Sequence, residues 1–251
     1  MSNPRWSSTH MSEDDVSYFD YFSGYVPSGA VFLMAADDIA RIARGSHKDK
    51  HSCVKSLCLI GLASYFEAFS KDHLASIISL APELIERLQK AGYATDIPAN
   101  EAYEFRDILK YKIGFLIAQR LDLGSGKKIN SIFTTILQIT PFGQKEVLAY
   151  DRLLRDRNLL VHHGGTYTTS YIRQAYGEIP PDRRRAHADS LQVMVDRIVQ
   201  EVTFLKKIAH KLIELSSSRL NVLLKEKRGD LSEETLNALL AMRWWDDDEK
   251  T

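Results

Sequence analysis

The sequence predicts an all-α fold, an antiparallel helical bundle containing one unusually long helix near its C-terminal end. Three observations carry the prediction. Apolar residues recur at i, i+3, i+4 and i+7 through most of the chain between residues 27 and 228. Pro27, Gly45, Pro82, Gly92, Gly164 and Gly165 fall at the ends of those periodic stretches. The one β-prone polar stretch, residues 166–179, is too short to build a sheet. With 44% hydrophobic and 26% charged residues, the 251-residue chain has the composition of a globular protein, which excludes disordered, collagenous and membrane-spanning classes. Its length fits one large domain with appendages.

Residues 1–26 are polar and then aromatic (Tyr18, Phe19, Tyr21, Phe22, Tyr25), an arm expected to dock on the body. The helical domain spans residues 27–228. Its first helix carries Phe32, Ala36, Ile39 and Ala43 on one face and ends at Gly45. A second, from about Lys50 to Leu80, is apolar nearly all round between Val54 and Phe69, which places it centrally. Pro82 restarts a short helix that Gly92 stops. Asn100 is the expected cap of a long helix bearing Phe105, Ile108, Leu109, Ile113, Leu116 and Ile117.

Residues 122–128 form a Gly-rich turn, and Ile129 to Gln138 fits either a helix or a strand, with its neighbours favouring helix. From Phe142 to about His162 the period is helical, stopped by the glycine pair. Residues 164–180 are expected to be a loop or hairpin insertion. Pro180 and Pro181 then open a very long helix with Leu191, Met194, Ile198, Leu205, Leu212 and Leu220 on its apolar face. In the last part, 229–251, Asp230 and Glu233 suggest a capping box for a short helix before an acidic tail with Trp244 and Trp245.

The formal net charge is zero, yet the distribution is polarised. Residues 106–228 hold 22 bases and 12 acids, while residues 1–38 and 229–251 are each net −5. A basic body with acidic ends suits a polyanion ligand; ordinary helix-surface charge is the alternative. Cys53 and Cys58, five apart, sit about 140° apart around a helix and cannot bridge there, which suits a reduced, cytoplasmic chain. The acidic N-terminus, with no apolar core segment, argues against a secretory or mitochondrial signal, and the uncharged apolar run Ser56 to Phe66 is too short to span a bilayer.

The chemistry concentrates in Tyr150 to Gly165. As a helix this segment puts Asp151, Arg155, Asn158 and His162 on one polar stripe. Arg157 starts from the apolar side, among Leu153, Leu154, Leu160 and Val161, an unusual place for a guanidinium. The string Arg157-Asn158-Leu159-Leu160-Val161-His162 resembles the R-polar-xxx-H motif of the HEPN superfamily, all-α domains that include many metal-independent ribonucleases of prokaryotic toxin–antitoxin and antiviral systems. The run Tyr65-Phe66-Glu67-Ala68-Phe69 is similar to the second-helix region of its RiboL-PSP-like branch. As helix order the resemblance covers roughly residues 30–215; only the short strings are specific, because looser Arg-to-His spacings also occur at Arg5/His10 and Arg41/His47.

The resemblance implies an endoribonuclease in which the ribose 2′-hydroxyl attacks the neighbouring phosphorus, with no cofactor or metal. His162 would exchange the proton, Arg157 would hold a phosphate oxygen in its fork, and Asn158 would orient the imidazole or touch the phosphate. It further implies a homodimer with facing motifs, and Arg155, His163 and Glu67 as supporting residues, Glu67 by a hydrogen bond to Arg157. Residue type alone makes Glu67 a surface or capping carboxylate, the reading preferred here.

Lys127 and Lys128 in the Gly-rich turn, and Arg183, Arg184 and Arg185, are candidate RNA contacts, with solvated basic corners as the alternative. The turn fails the Walker pattern, and neither His162 with His163 nor His47 with His51 makes a convincing metal pair. The expected partners are thus RNA, a second copy and an antitoxin or regulatory protein, and no membrane. A catalytically silent helical module that binds a protein or nucleotide is the rival reading, and a purely structural dimerisation bundle a weaker third.

Overall fold

A computed structural model describes residues 18–46, 53–176 and 188–243. They form ten α-helices, no strand and a single isolated antiparallel bridge, Thr166 to Ser190. The helices are α1 (Ser28–Gly45), α2 (Val54–Leu80), α3 (Ile85–Lys90), α4 (Ala99–Glu104) and α5 (Leu109–Ala118). They continue as α6 (Gly126–Leu137), α7 (Gln144–His163), α8 (Thr169–Tyr176), the 34-residue α9 (Val195–Arg228) and α10 (Glu233–Ala241). None of the described helices is long and apolar enough to cross a membrane.

α2 is the axis of the bundle, as its apolar surface requires, and packs on α1, α5, α7 and α9. Phe66 is fully buried and meets Phe32, Phe69, Phe142 and Tyr150 at ring-centroid distances of 5.2–6.2 Å. Between α2 and α5 the backbones nearly touch. A Cβ on Gly114 would stand 1.9 Å from the Ala75 carbonyl oxygen, so no larger residue fits. At the same contact the Ser79 hydroxyl donates to the Tyr111 carbonyl and accepts from Gly114 N. The arm docks as expected in its described part: Tyr21 and Phe22 are buried, and Tyr21 meets Tyr111 edge-on at 4.9 Å.

Several boundaries differ from the sequence expectation. The helix expected from Asn100 is two helices, α4 and α5, separated by a turn at 105–108 that redirects the chain so that Gly114 reaches α2; Ile108 is left exposed. Pro98 takes the capping position in place of Asn100. Ile129 to Leu137 is helical, begun at Gly126 with Ser125 Oγ accepting from Lys128 N. Residues 169–176 form α8 rather than a hairpin. Tyr171 and Ile172 bury themselves on Leu159 of α7, and that packing overrides the β preference of Thr, Tyr and Ile.

The long helix starts at Val195, not at Pro180. Leu191 N donates to Gly165 O and Tyr167 N to Asp189 O, so the segment before Val195 runs extended along the exit of α7. Met194, expected on the apolar face, is exposed. The last helix is capped by Ser232, whose Oγ accepts from Thr235 N, and not by Asp230.

Candidate functional site

α7 runs from the Gly143 turn to His163 and stops as expected, with Gly164 and Gly165 at φ +59° and +85°. Its inner face, with Leu153, Leu154 and Leu160, enters the core. The polar stripe splits. Asp151 turns back to α6 and accepts from Gly126 N at 3.1 Å. Together with Ser125 it fills the α6 N-terminus, where Lys128 pairs with Asp122. Lys127 and Lys128 therefore lie apart from the remainder of the stripe.

Arg155, Asn158 and His162 line a cleft of about 240 Å³ between α7 and α8, together with His163. The α8 side contributes Thr168, Ser170, Tyr171 and Gln174. Among the described residues no carboxylate lines the cleft. α8 is held in place through Asp156, which is 2% exposed and accepts from the Tyr171 hydroxyl at 2.6 Å. The other Asp156 oxygen pairs with Arg197 of α9, and Arg197 also reaches Glu201 at 3.7 Å. Burial and the Asp156 carboxylate push the Tyr171 phenol well above its ordinary pKa, so it stays a neutral donor. Burial pushes the Glu201 carboxyl up, against the pull of Arg197 and Arg152.

Arg157 takes a different course from its stripe neighbours. Its NH2 pairs with Glu67 Oε2 at 2.6 Å and its NH1 donates to Asn158 Oδ1 at 3.1 Å, with both charged side chains mostly covered. The preferred sequence reading of Glu67 as a surface or capping carboxylate is thereby corrected: α2 turns Phe66 and Phe69 inward and leaves Glu67 facing α7. The Arg157 fork, expected to stand open for a phosphate, is engaged, and Arg157 is not part of the cleft lining. With its Oδ1 accepting from Arg157, the Asn158 amide presents its NH2 donors elsewhere.

Arg155 was read from sequence only as a supporting residue. Its guanidinium lies 5.7 Å from the Tyr171 ring centroid, and NH1 donates to Gln174 O at 3.3 Å. The α8 wall was missed entirely. Its available signal was Thr168, whose Oγ1 accepts from Tyr171 N at 3.1 Å as a helix cap does. Among the described residues no group of three or more His, Cys, Asp or Glu is placed to hold a metal ion. Cys53 and Cys58 are free thiols, one exposed and one buried. Arg183, Arg184, Arg185, His47, His51, Trp244 and Trp245 lie outside the described residues. No family model, curated protein or solved structure matches the chain.

Proposed function

We propose that the chain is a metal-independent endoribonuclease of HEPN type, acting in the cytoplasm as a toxin or antiviral defence effector. The observation that carries this reading is the juxtaposition of His162, Asn158 and Arg155 in a cleft that no carboxylate lines among the described residues, with Arg157 locked behind Asn158 by Glu67. Such a lining favours an anionic ligand and supplies two imidazoles, His162 and His163, as proton-exchanging groups. His162 accepts the proton of the ribose 2′-hydroxyl, the freed oxygen bonds to the adjacent phosphorus as the bond to the 5′-oxygen breaks, and the imidazolium returns the proton to the departing 5′-oxygen, leaving a 2′,3′-cyclic phosphate. Asn158 donates to a nonbridging oxygen. Arg157, itself paired with Glu67, acts at one remove by fixing the Asn158 amide that faces the forming phosphorane.

The reading includes a homodimer in which two clefts face each other, and an antitoxin or regulatory protein as a further partner. The test is cleavage of labelled RNA in EDTA by the wild type, His162→Ala and Arg157→Ala. Loss of activity in both variants, by about 10³-fold for His162→Ala, is expected. Equal cleavage by all three proteins, or none by any, would sink the catalytic reading. Sedimentation of a strict monomer at high concentration would remove the composite cleft.

A further inference from the structure

The arginines on α7 are not equivalent. Arg157 is matched to Glu67, and Arg152 faces Glu201 at 3.6 Å. Arg155 has no carboxylate partner among the described residues, and its Nε is buried without a hydrogen bond. What holds it is Tyr171, with the Gln174 carbonyl at the long distance of 3.3 Å. Tyr171 in turn is pinned by Asp156, itself neutralised by Arg197. The fold thus uses the Asp156 carboxylate to fix the wall, and among the described residues the Arg155 cation has no countercharge. A partly covered guanidinium in that state is completed by an anion from outside.

Its position says which anion. Arg155 and His162 are seven residues apart, which on a helix is about 20° around the axis and about 10 Å along it. With the Arg155 guanidinium held against Tyr171 and the Gln174 carbonyl, one phosphate group does not serve both side chains, while successive phosphates of one strand do. We infer that Arg155 binds the phosphate next to the scissile one, so that the α7–α8 cleft takes a stretch of single-stranded RNA with two consecutive phosphates. This rests on the ribonuclease reading for the position of the scissile phosphate at His162. Arg157, by contrast, is a positioning residue for Asn158.

The experiment compares a dinucleotide, with one phosphodiester, and a trinucleotide, with two, as substrates of the full chain. The wild type is expected to cleave the trinucleotide with a kcat/KM about tenfold higher, as one charge-assisted contact provides. Arg155→Ala abolishes that advantage by raising KM for the trinucleotide, with a smaller loss on the dinucleotide; Arg155→Lys keeps part of it. Arg173→Ala, an exposed α8 cation outside the cleft lining, leaves the ratio as it is. An equal loss on both substrates, or an unchanged ratio in Arg155→Ala, overturns the inference while leaving the ribonuclease reading intact.

If the wild type cleaves neither substrate, the ribonuclease reading fails, and binding of a 2′-O-methyl trinucleotide decides the inference alone. Weaker binding by Arg155→Ala, with a salt slope smaller by about 1, supports it. Binding that is absent, or indifferent to the substitution, overturns it.

Discussion

The interior of the bundle and the end of α7 both contain buried or half-buried polar groups, and they treat them in opposite ways. In the core, His73 is 1% exposed, lies between the rings of Phe69 and Phe133, and bonds Ser216 Oγ at 2.7 Å. Burial pushes its pKa down to about 3, so it sits there neutral and satisfied. At the end of α7, Arg155 keeps its charge and lacks a carboxylate among the described residues, while His162 and His163 stand exposed beside it. A polar group that is closed and neutral serves the fold; one left charged and open has its partner in a ligand. Substitutions should separate the two regions accordingly.

The largest effect is expected in the closed region. Gly114→Val forces a side chain into the α2–α5 contact, where a Cβ already falls 1.9 Å from Ala75 O and 2.6 Å from Ser79 Oγ. Neither helix can withdraw without opening the core around α2, so a loss of about 4 kcal/mol or more is expected. Chemical denaturation measures it. A midpoint within the error of the wild type would show that the two helices do not approach in this way.

Next comes the residue that joins the regions. Asp156→Ala leaves Arg197 only the longer pairing with Glu201 at 3.7 Å and the Tyr171 hydroxyl without an acceptor, at a cost of about 3 kcal/mol. Because Tyr171 also supports Arg155, the preference for the longer RNA should fall with stability. His162→Ala, at an exposed position, should lose cleavage with a stability change within about 0.5 kcal/mol. A large destabilisation by His162→Ala would erase the contrast between the closed core and the open end of α7.

The third effect follows from His73 and has a definite sign. Its folded pKa lies below the ordinary value of 6.5, so between about pH 6.5 and 3 the unfolded chain takes up a proton that the folded chain refuses. Stability is therefore unaffected by this group above pH 6.5 and falls as the pH drops below it, by about 1.4 kcal/mol per pH unit at most. His73→Gln should flatten that part of the profile. An unchanged slope in the variant would mean that His73 is not the buried neutral group described.

The sequence made the bundle legible where a single physical cause decides. α2 is apolar all round and is central; Gly164 and Gly165 end α7 because the backbone there needs positive φ. The motif residues Arg157, Asn158 and His162 fall on one helix end for the same local reasons. What could not be read was the choice among partners. Glu67 and Arg157 are 90 residues apart, and only the packing of α2 on α7 pairs them. Arg155 and Arg157 look alike in sequence, and the carboxylate that distinguishes them comes from another helix. The β-prone residues of 169–176 were misleading because Tyr171 and Ile172 find their surface on α7, a tertiary effect that local preference does not contain.

That override makes α8 the least secure of the elements around the site, and the smallest predicted effect tests it. α8 has only eight residues, too few to be stable by its own hydrogen bonds. It depends on the patch with Leu159 and on the Thr168 cap. Thr168→Ala removes one acceptor for the first turn and should cost about 1 kcal/mol, with Thr168→Ser restoring it. Since the cost falls on a local unit, hydrogen exchange should accelerate in residues 169–176 and remain unchanged in α2. Acceleration spread evenly over both would mean that α8 opens only with the whole bundle, and the cleft wall would then belong to the closed region rather than to the open one.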